Sequence, residues 1–324
     1  MPQGSAPDGA LTVLYIGGYG RSGSTVLDRV LGALPDAVSV GEIRSIWGAV
    51  LREDRLCACG LRFSACPFWT EVGDRAFGGW DSPAAERART AHGQVDRHRH
   101  LPQLLSGKGS ATFDREEAVF TQALGDLYRA VAETGGARVV VDASKYPVYA
   151  AILRKVPAID LRVVHLIRDA RGAAYSWSKE GVVKPDAGGD DTFMPTYRAS
   201  RASAEWLFYN AGFDALKAMR TPTMRLYYES FVRDPRGSVA RVARFAGLTA
   251  DEESLAYIHG PTVRLGGPEH ALGGNPARFG DRDVLTLRAD QAWRKRMAPG
   301  QRRTVTALTS PFLVRYGYVG RHGR

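Results

Sequence analysis

The sequence contains few cysteines, few lysines and no long apolar segment. Three cysteines among 324 residues are too few for a fold that depends on disulfides. No apolar run approaches the ~20 residues that a membrane-spanning helix needs. The first ten residues are polar and rich in proline and glycine, without the basic and apolar regions of a signal peptide. We therefore expect a cytoplasmic location, no membrane span and a flexible segment at residues 1–10.

The charged residues that are present favour an anionic ligand. The formal net charge is +10, and only seven of the 44 basic residues are lysines. A basic balance suits a polyanionic small molecule. The chain lacks a basic stripe interleaved with aromatic residues, so binding to nucleic acid is not expected. With 44% apolar residues it can bury a large core, and we predict one α/β domain over residues 1–324.

A glycine-rich segment near the N-terminus is the most informative part of the chain. The apolar run at residues 11–16 precedes Gly-Gly-Tyr-Gly-Arg-Ser-Gly-Ser-Thr at residues 17–25, and an amphipathic run follows at residues 26–31. This order predicts a strand, a loop whose N–H groups cradle a phosphate, and a helix. Two glycines have the spacing of an ATP-binding P-loop, but Ser24 replaces its lysine. The cation of the loop is Arg21, whose guanidinium suits a terminal oxyanion group better than a magnesium-bridged triphosphate.

Polar residues also follow four other predicted strands. Because the carboxyl ends of parallel strands meet at one edge of a sheet, we expect these residues and Arg21 to form an anion site. They are Glu42 after residues 37–40, Lys145 after residues 138–141, Arg168 after residues 161–167, and Tyr228 at the end of residues 224–228.

Several segments resemble one enzyme family. The loop Gly-x-Arg-Ser-Gly-Ser-Thr resembles the 5′-phosphosulfate loop of the sulfotransferases that use 3′-phosphoadenosine 5′-phosphosulfate (PAPS). Residues 168–176 resemble the family's 3′-phosphate motif, in which a serine follows a strand-end arginine by eight residues. Residues 228–229, and residues 274–279 with Trp293, resemble later family segments. The resemblance implies a P-loop-like three-layer α/β sandwich with a central parallel sheet, and a PAPS site formed by Arg21, Ser22, Gly23, Ser24, Thr25, Arg168, Ser176, Tyr228 and Arg278.

Within the family, the spacing of Arg21 and Glu42 is similar to that in tyrosylprotein sulfotransferases and related bacterial enzymes, where a Gly-Glu pair supplies the catalytic base. This resemblance implies that Glu42 deprotonates an acceptor hydroxyl, that Arg21 holds the 5′-phosphosulfate, and that Lys145 stabilises the charge that develops. The expected products are a sulfated acceptor and 3′-phosphoadenosine 5′-phosphate (PAP), with no metal ion in the reaction. The acceptor, whether a phenol, glycan, lipid or peptide, and the oligomeric state stay open.

Two other functions fit parts of the same pattern. A P-loop kinase would use the loop together with Asp142, at the end of an apolar run, as a magnesium ligand, but the missing lysine counts against it. A protein that binds PAPS or PAP without turnover would use the phosphate loops and would not need Glu42. Glu42 could also cap a helix or pair with Arg44. In that case His100 is the second candidate for the base.

Two regions outside these motifs are expected to be insertions that shape the acceptor pocket, residues 70–135 and residues 181–196. Cys57, Cys59 and Cys66 form a tight group without a fourth cysteine. The sequence therefore favours a buried thiol cluster, or one disulfide and a free thiol, over a metal site.

Overall fold

A computed structural model describes residues 10–187, 192–267, 269–273, 276–279 and 283–319. Part of three predicted segments lies outside these residues, namely residues 1–9, residues 188–191, and Gly274 with Asn275. The described strands are β1 (Leu11–Gly17), β2 (Ala37–Gly41), β3 (Val139–Lys145), β4 (Ile159–Ile167), β5 (Thr223–Tyr227), β6 (Ile258–His259), β7 (Thr262–Arg264) and β8 (Val284–Thr286). The first five pair in parallel in the order β2-β3-β1-β4-β5, and the last three form an antiparallel sheet.

Helices cover both faces of the parallel sheet. The described helices are α1 (Ser24–Gly32), α2 (Ala49–Glu53), α3 (Pro67–Phe77), α4 (Pro83–Val95), α5 (Leu101–Ser106), α6 (Ala111–Thr134), α7 (Pro147–Leu153), α8 (Ala170–Trp177), α9 (Ala199–Ala218), α10 (Tyr228–Arg233), α11 (Pro235–Ala246), α12 (Pro276–Phe279), α13 (Trp293–Arg296) and α14 (Pro299–Arg315). Helices of the β1–β2 and β5–β6 connections pack on one face, and those between β2 and β4 pack on the other.

Strand β1 shows why the chain folds into three layers. Val13 and Tyr15 belong to the hydrophobic cluster on one face of the sheet, and Leu14 and Ile16 belong to the cluster on the other face. All four side chains are fully buried. A parallel strand covered on both faces is continuously apolar, as this run is, because successive side chains point to opposite faces. The predicted three-layer α/β sandwich with a central parallel sheet is confirmed.

The ends of two strands differ slightly from the prediction. Strand β3 continues past residue 141 to Lys145, because Asp142 and Lys145 still pair with Tyr15 and Gly17 of β1. Strand β5 ends at Tyr227, and Tyr228 already begins α10. Among the described residues, the structure has no helix that is both long and apolar enough to cross a membrane.

Candidate active site

The carboxyl ends of the central strands open into a cavity of about 210 Å³. Arg21 follows β1, Glu42 follows β2 and Lys145 ends β3, and all three side chains line this cavity. Ser24 and Thr25 at the start of α1 line it as well. The parallel sheet thus brings five residues that the sequence singled out into one site, although they are spread over more than a hundred positions.

The loop between β1 and α1 has the backbone conformation of an anion cradle. Gly18 and Gly23 have φ angles of 137° and 88°, and α1 begins directly afterwards at Ser24. A Cβ atom on Gly18 would lie 2.2 Å from the carbonyl oxygen of Leu166, so glycine is required there. The first N–H groups of α1 have no partner within the helix and lie at the positive end of its dipole.

Two polar groups of this loop are buried without a hydrogen-bond partner among the described residues, Arg21 Nε and Ser22 Oγ. The Arg21 guanidinium lies 4.9 Å from the ring centre of Trp177. Burial lowers the pKa of Arg21, and the nearby Glu42 carboxylate opposes this shift. Buried donors without partners are costly, so the loop is suited to an anionic ligand that would satisfy them.

Glu42 and Lys145 form an ion pair in the cavity, with 2.5 Å between Glu42 Oε1 and Lys145 Nζ. Lys145 has a left-handed φ of 73°, an uncommon conformation for a residue other than glycine. Its ammonium group also donates a hydrogen bond to the carbonyl oxygen of Ala143 at 3.1 Å. The backbone N–H of Glu42 donates to the carbonyl oxygen of Leu272 at 2.8 Å. A carboxylate and an ammonium group are thereby held beside the loop between β1 and α1.

Neither structural role considered for Glu42 is present. Glu42 precedes a short 3₁₀ helix at Ile43–Trp47, but its side chain makes no capping hydrogen bond. Arg44 instead donates to Asp96 at 2.5 Å, and its guanidinium lies 3.8 Å from the ring centre of Tyr146. The Glu42 carboxylate is therefore left to line the cavity.

Asp142, the magnesium ligand of the kinase hypothesis, lies in the protein interior. Its carboxylate accepts hydrogen bonds from the hydroxyl groups of Tyr128 at 2.5 Å and Ser144 at 2.6 Å. Burial raises the pKa of Asp142 to about 7, although these hydrogen bonds oppose the shift. Asp142 and Ser144 are 0% and 1% exposed, and neither lines the cavity. The end of β3 therefore presents Lys145 to the site, not a metal-binding carboxylate.

Arg168 follows β4 and contacts the loop between β1 and α1. Its guanidinium donates to the carbonyl oxygens of Arg21 at 2.7 Å and Asp290 at 2.9 Å, and it lies 4.6 Å from the ring centre of Tyr228. The Asp290 carboxylate is 3.3 Å from Arg168 and 3.5 Å from Lys179. A carboxylate thus lies between two cations, an arrangement that would also suit a phosphate group.

The other predicted residues do not line the cavity, namely Ser22, Gly23, Arg168, Ser176, Tyr228, Arg278 and His100. Ser176 is half-buried in α8. Arg278 is 2% exposed, and its guanidinium donates to Asp28 of α1 at 2.7 Å. His100 packs on Phe113 with 5.1 Å between ring centres. The buried ion pair with Asp28 holds Arg278 beside α1. The role of Arg278 in nucleotide binding and that of His100 as the second candidate base stay predictions.

Much of the remaining cavity wall is aromatic, which the sequence analysis did not predict. Trp177 and Tyr197 stack with their ring centres 4.6 Å apart. Further apolar or aromatic lining comes from Tyr19, Tyr146, Tyr209 and Met194. These residues come from five separate segments of the chain, so no local sequence pattern marks them as one surface.

The two predicted insertions differ in their relation to the cavity. Lys184, Asp186 and Met194, from the region 181–196, line the cavity. None of its described lining residues comes from 70–135. That region forms helices that pack together and against the sheet instead. The role of either region in acceptor binding stays a prediction.

A sequence model of the sulfotransferase family matches residues 14–252, whereas a search of curated protein sequences finds no match. The fold is similar to the sulfotransferase domain of the Synechococcus PCC 7002 olefin synthase, with 17% identity, a TM-score of 0.48, and 96% of this chain and 98% of that chain covered. It is also similar to the sulfotransferase domain from the curacin biosynthetic pathway, with 13% identity, a TM-score of 0.48, and 94% and 99% covered. A sulfotransferase from Alicyclobacillus acidocaldarius has 16% identity, a TM-score of 0.42, and 93% and 92% covered.

Proposed function

The chain belongs to the sulfotransferase family, and we propose that it transfers the sulfuryl group of PAPS to a hydroxyl group of a small or medium-sized acceptor. The observation that carries this proposal is the contact between Glu42 and Lys145, 2.5 Å apart in the cavity that Arg21 also lines. A base, a cation and an anion-binding loop in one cavity are the groups that sulfuryl transfer to a hydroxyl requires.

In this proposal the donor nucleotide binds at two anchoring points. The N–H groups of the loop and Arg21 hold the 5′-phosphosulfate, and the buried unpartnered Ser22 Oγ supports an anion there. Arg168, with Ser176 on α8, holds the 3′-phosphate, and Tyr228 and Arg278 contribute to binding of the nucleotide. Arg168 supports this assignment because its guanidinium already binds a carboxylate, that of Asp290.

The chemical step follows from the Glu42–Lys145 pair. A phosphosulfate oxygen competes with the Glu42 carboxylate for the Lys145 ammonium group, which leaves the carboxylate free to accept the proton of the acceptor hydroxyl. The acceptor oxygen forms a bond to sulfur as the bond from sulfur to the bridging phosphate oxygen breaks, and PAP departs. Lys145, Arg21 and the loop N–H groups stabilise the negative charge that develops on the departing oxygen. The scheme needs no metal ion.

The acceptor would lie against the aromatic part of the cavity. The stacked rings of Trp177 and Tyr197 offer a flat apolar surface, which suits the body of a phenol or the apolar face of a sugar. The polar residues Arg55, Lys184 and Asp186 line the same cavity and would orient a polar substituent of the acceptor. A cytoplasmic location and the absence of a nucleic-acid partner stay predictions.

The proposal is tested by incubating the purified chain with sulfur-labelled PAPS and a panel of phenols, glycans, lipids and tyrosine peptides. We expect label in at least one acceptor, together with an equal amount of PAP. A matched incubation with ATP and magnesium should label no acceptor with phosphate. Binding of PAPS without turnover on any acceptor would favour a non-catalytic PAPS-binding protein, and phosphoryl transfer would favour the kinase hypothesis.

A further inference from the structure

Three cysteines and one distant histidine converge on a single point. The Sγ atoms of Cys57, Cys59 and Cys66 and the ring nitrogen of His270 all lie within 4.8 Å of one another. Cys66 Sγ is 3.7 Å from the sulfur of each other cysteine and 3.3 Å from His270 Nδ1. Cys57 Sγ lies 4.0 Å from the same nitrogen. All three cysteines are free, so the disulfide considered from the sequence is not formed.

We propose that Cys57, Cys59, Cys66 and His270 bind one Zn²⁺ ion in a structural Cys₃His site. In a tetrahedral site with Zn–S bonds of about 2.3 Å and a Zn–N bond of about 2.0 Å, neighbouring sulfurs lie about 3.8 Å apart and a sulfur and a nitrogen about 3.5 Å apart. The observed separations of 3.7 Å and of 3.3 to 4.0 Å match these edges. Disulfide formation would need sulfurs about 2.05 Å apart and would leave one cysteine unpaired.

The backbone around the cysteines is folded to present their sulfurs together. The backbone carbonyl oxygen of Cys57 accepts a hydrogen bond from Gly60 N–H at 2.9 Å, and the backbone N–H of Cys57 donates to the carbonyl oxygen of Leu61 at 2.8 Å. These two bonds close a tight turn around Cys59. Gly60 has a φ of 94°, a conformation that favours glycine. Cys66 directly precedes α3. The turn and the start of this helix therefore supply three ligands from one short segment.

The histidine ligand is held by its neighbours. The His270 ring stacks on Phe68 with ring centres 5.1 Å apart and an angle of 6° between the planes. Its carbonyl oxygen accepts a hydrogen bond from Trp69 Nε1 at 2.8 Å. The stacking fixes the plane of the His270 ring, and the hydrogen bond fixes the backbone at this residue. No local pattern marks this ligand, because it is a histidine that lies 204 residues after Cys66.

The zinc ion would tie the segment with Cys57, Cys59 and Cys66 to the chain next to the cavity. Leu272, two residues after His270, donates to the carbonyl oxygen of Val40 at 2.9 Å and accepts the hydrogen bond from Glu42 N–H. The ion thus stabilises the segment around Leu272, which accepts the backbone hydrogen bond of Glu42. It takes no part in the reaction. This inference does not depend on the proposed activity, because its readouts are metal content and folding stability.

The test is metal analysis of the full-length chain, purified without added chelator, by inductively coupled plasma mass spectrometry. We expect about one zinc ion per chain, falling to less than about a tenth in His270→Ala and Cys66→Ser. The variant His270→Cys exchanges one zinc ligand for another and should keep the metal. His259→Ala, which changes an exposed histidine, is the matched control and should keep it as well.

A second measurement uses the wild type alone, in case the ligand variants fail to fold. Removal of the metal with a strong chelator should lower Tm, and Co²⁺ added to the stripped protein should give the intense visible absorption of a tetrahedral thiolate site. Wild type without zinc, or a Tm that the chelator leaves unchanged, would overturn the proposal. So would one free thiol in the denatured, unreduced chain, the count expected for a disulfide, or iron in place of zinc.

Discussion

Arg168 and Arg21 are joined by a hydrogen bond in which the guanidinium of Arg168 donates to the backbone carbonyl oxygen of Arg21 at 2.7 Å. The bond connects the end of β4 to the loop between β1 and α1. Arg21 has a left-handed φ of 66°, a conformation that persists only where the surroundings hold it. The residue proposed to bind the 3′-phosphate therefore also holds the loop proposed to bind the 5′-phosphosulfate.

The replacement Arg168→Ala should weaken the binding of PAP by about 2–4 kcal/mol, because it removes a charge-assisted phosphate contact. Ser176→Ala should have a smaller effect. Wild type should strongly prefer PAPS over adenosine 5′-phosphosulfate, which lacks the 3′-phosphate, and Arg168→Ala should lose most of this preference. Isothermal titration calorimetry measures the affinity for PAP and the preference for PAPS, with the exposed substitution Arg154→Ala as the control. A folded Arg168→Ala variant that still prefers PAPS over adenosine 5′-phosphosulfate as strongly as wild type would contradict the assignment of Arg168 to the 3′-phosphate.

Asp290 should compete with the nucleotide for Arg168 and Lys179, because its carboxylate lies within 3.5 Å of both cations. Asp290→Asn removes the competing charge, so PAP should bind roughly three- to tenfold more tightly. The effect should shrink at high salt, which screens these partly exposed charges. Weaker binding of PAP to Asp290→Asn would show that the carboxylate has a supporting role in the site, not a competing one.

Binding of PAP should raise Tm in the absence of added metal, whereas ATP with magnesium should leave it nearly unchanged. A ligand that binds only the folded state stabilises it by about 2.7 kcal/mol at a hundredfold excess over its dissociation constant. Differential scanning fluorimetry over a range of nucleotide concentrations measures the shift. A larger shift with ATP and magnesium than with PAP would point to the kinase hypothesis, despite the burial of Asp142.

The buried carboxyl group of Asp142 should make stability depend on pH. Its pKa of about 7 in the folded protein exceeds the value near 4 of an unfolded chain. Between these values the folded state binds the extra proton, so this group makes the protein less stable as pH rises from about 4 to about 7.

Asp142→Asn removes that titration; the amide oxygen can still accept from Ser144, and the amide nitrogen would donate to the Tyr128 hydroxyl oxygen. The difference in Tm between Asp142→Asn and wild type should therefore shift in favour of the variant as pH rises through this interval, and then level off. The exposed substitution Asp81→Asn is the control. A difference in Tm that is constant from pH 4 to pH 8 would mean that Asp142 is already ionised at the lower pH.

The sequence predicted those parts of the site that follow from strand ends. Arg21, Glu42 and Lys145 could be placed together because each lies at the carboxyl end of an apolar run, and parallel strands bring such ends to one edge. The burial of both faces of the sheet was likewise predictable, since every buried position of β1 carries an apolar residue or glycine.

Other features of the structure depend on contacts that no local pattern encodes. Arg278 matched a family segment, but its position is decided by the buried carboxylate of Asp28, 250 residues earlier. Tyr197 reaches the cavity by stacking on Trp177. His270 reaches the cysteines because the following residues pair with β2. In each case a long-range partner, not the neighbouring sequence, fixes the side chain.

The most direct test of the proposed mechanism is the rate of sulfuryl transfer in Glu42→Gln, measured in single turnover with labelled PAPS and an acceptor found in the screen. The amide keeps the shape of the side chain and removes the proton acceptor. Turnover should fall by roughly 10²–10⁴-fold, whereas PAP should bind at least as tightly as to wild type, because no carboxylate competes for Lys145. Glu71→Gln, an exposed change on α3, should transfer at the wild-type rate. A near-normal rate in Glu42→Gln would contradict the account and require another base.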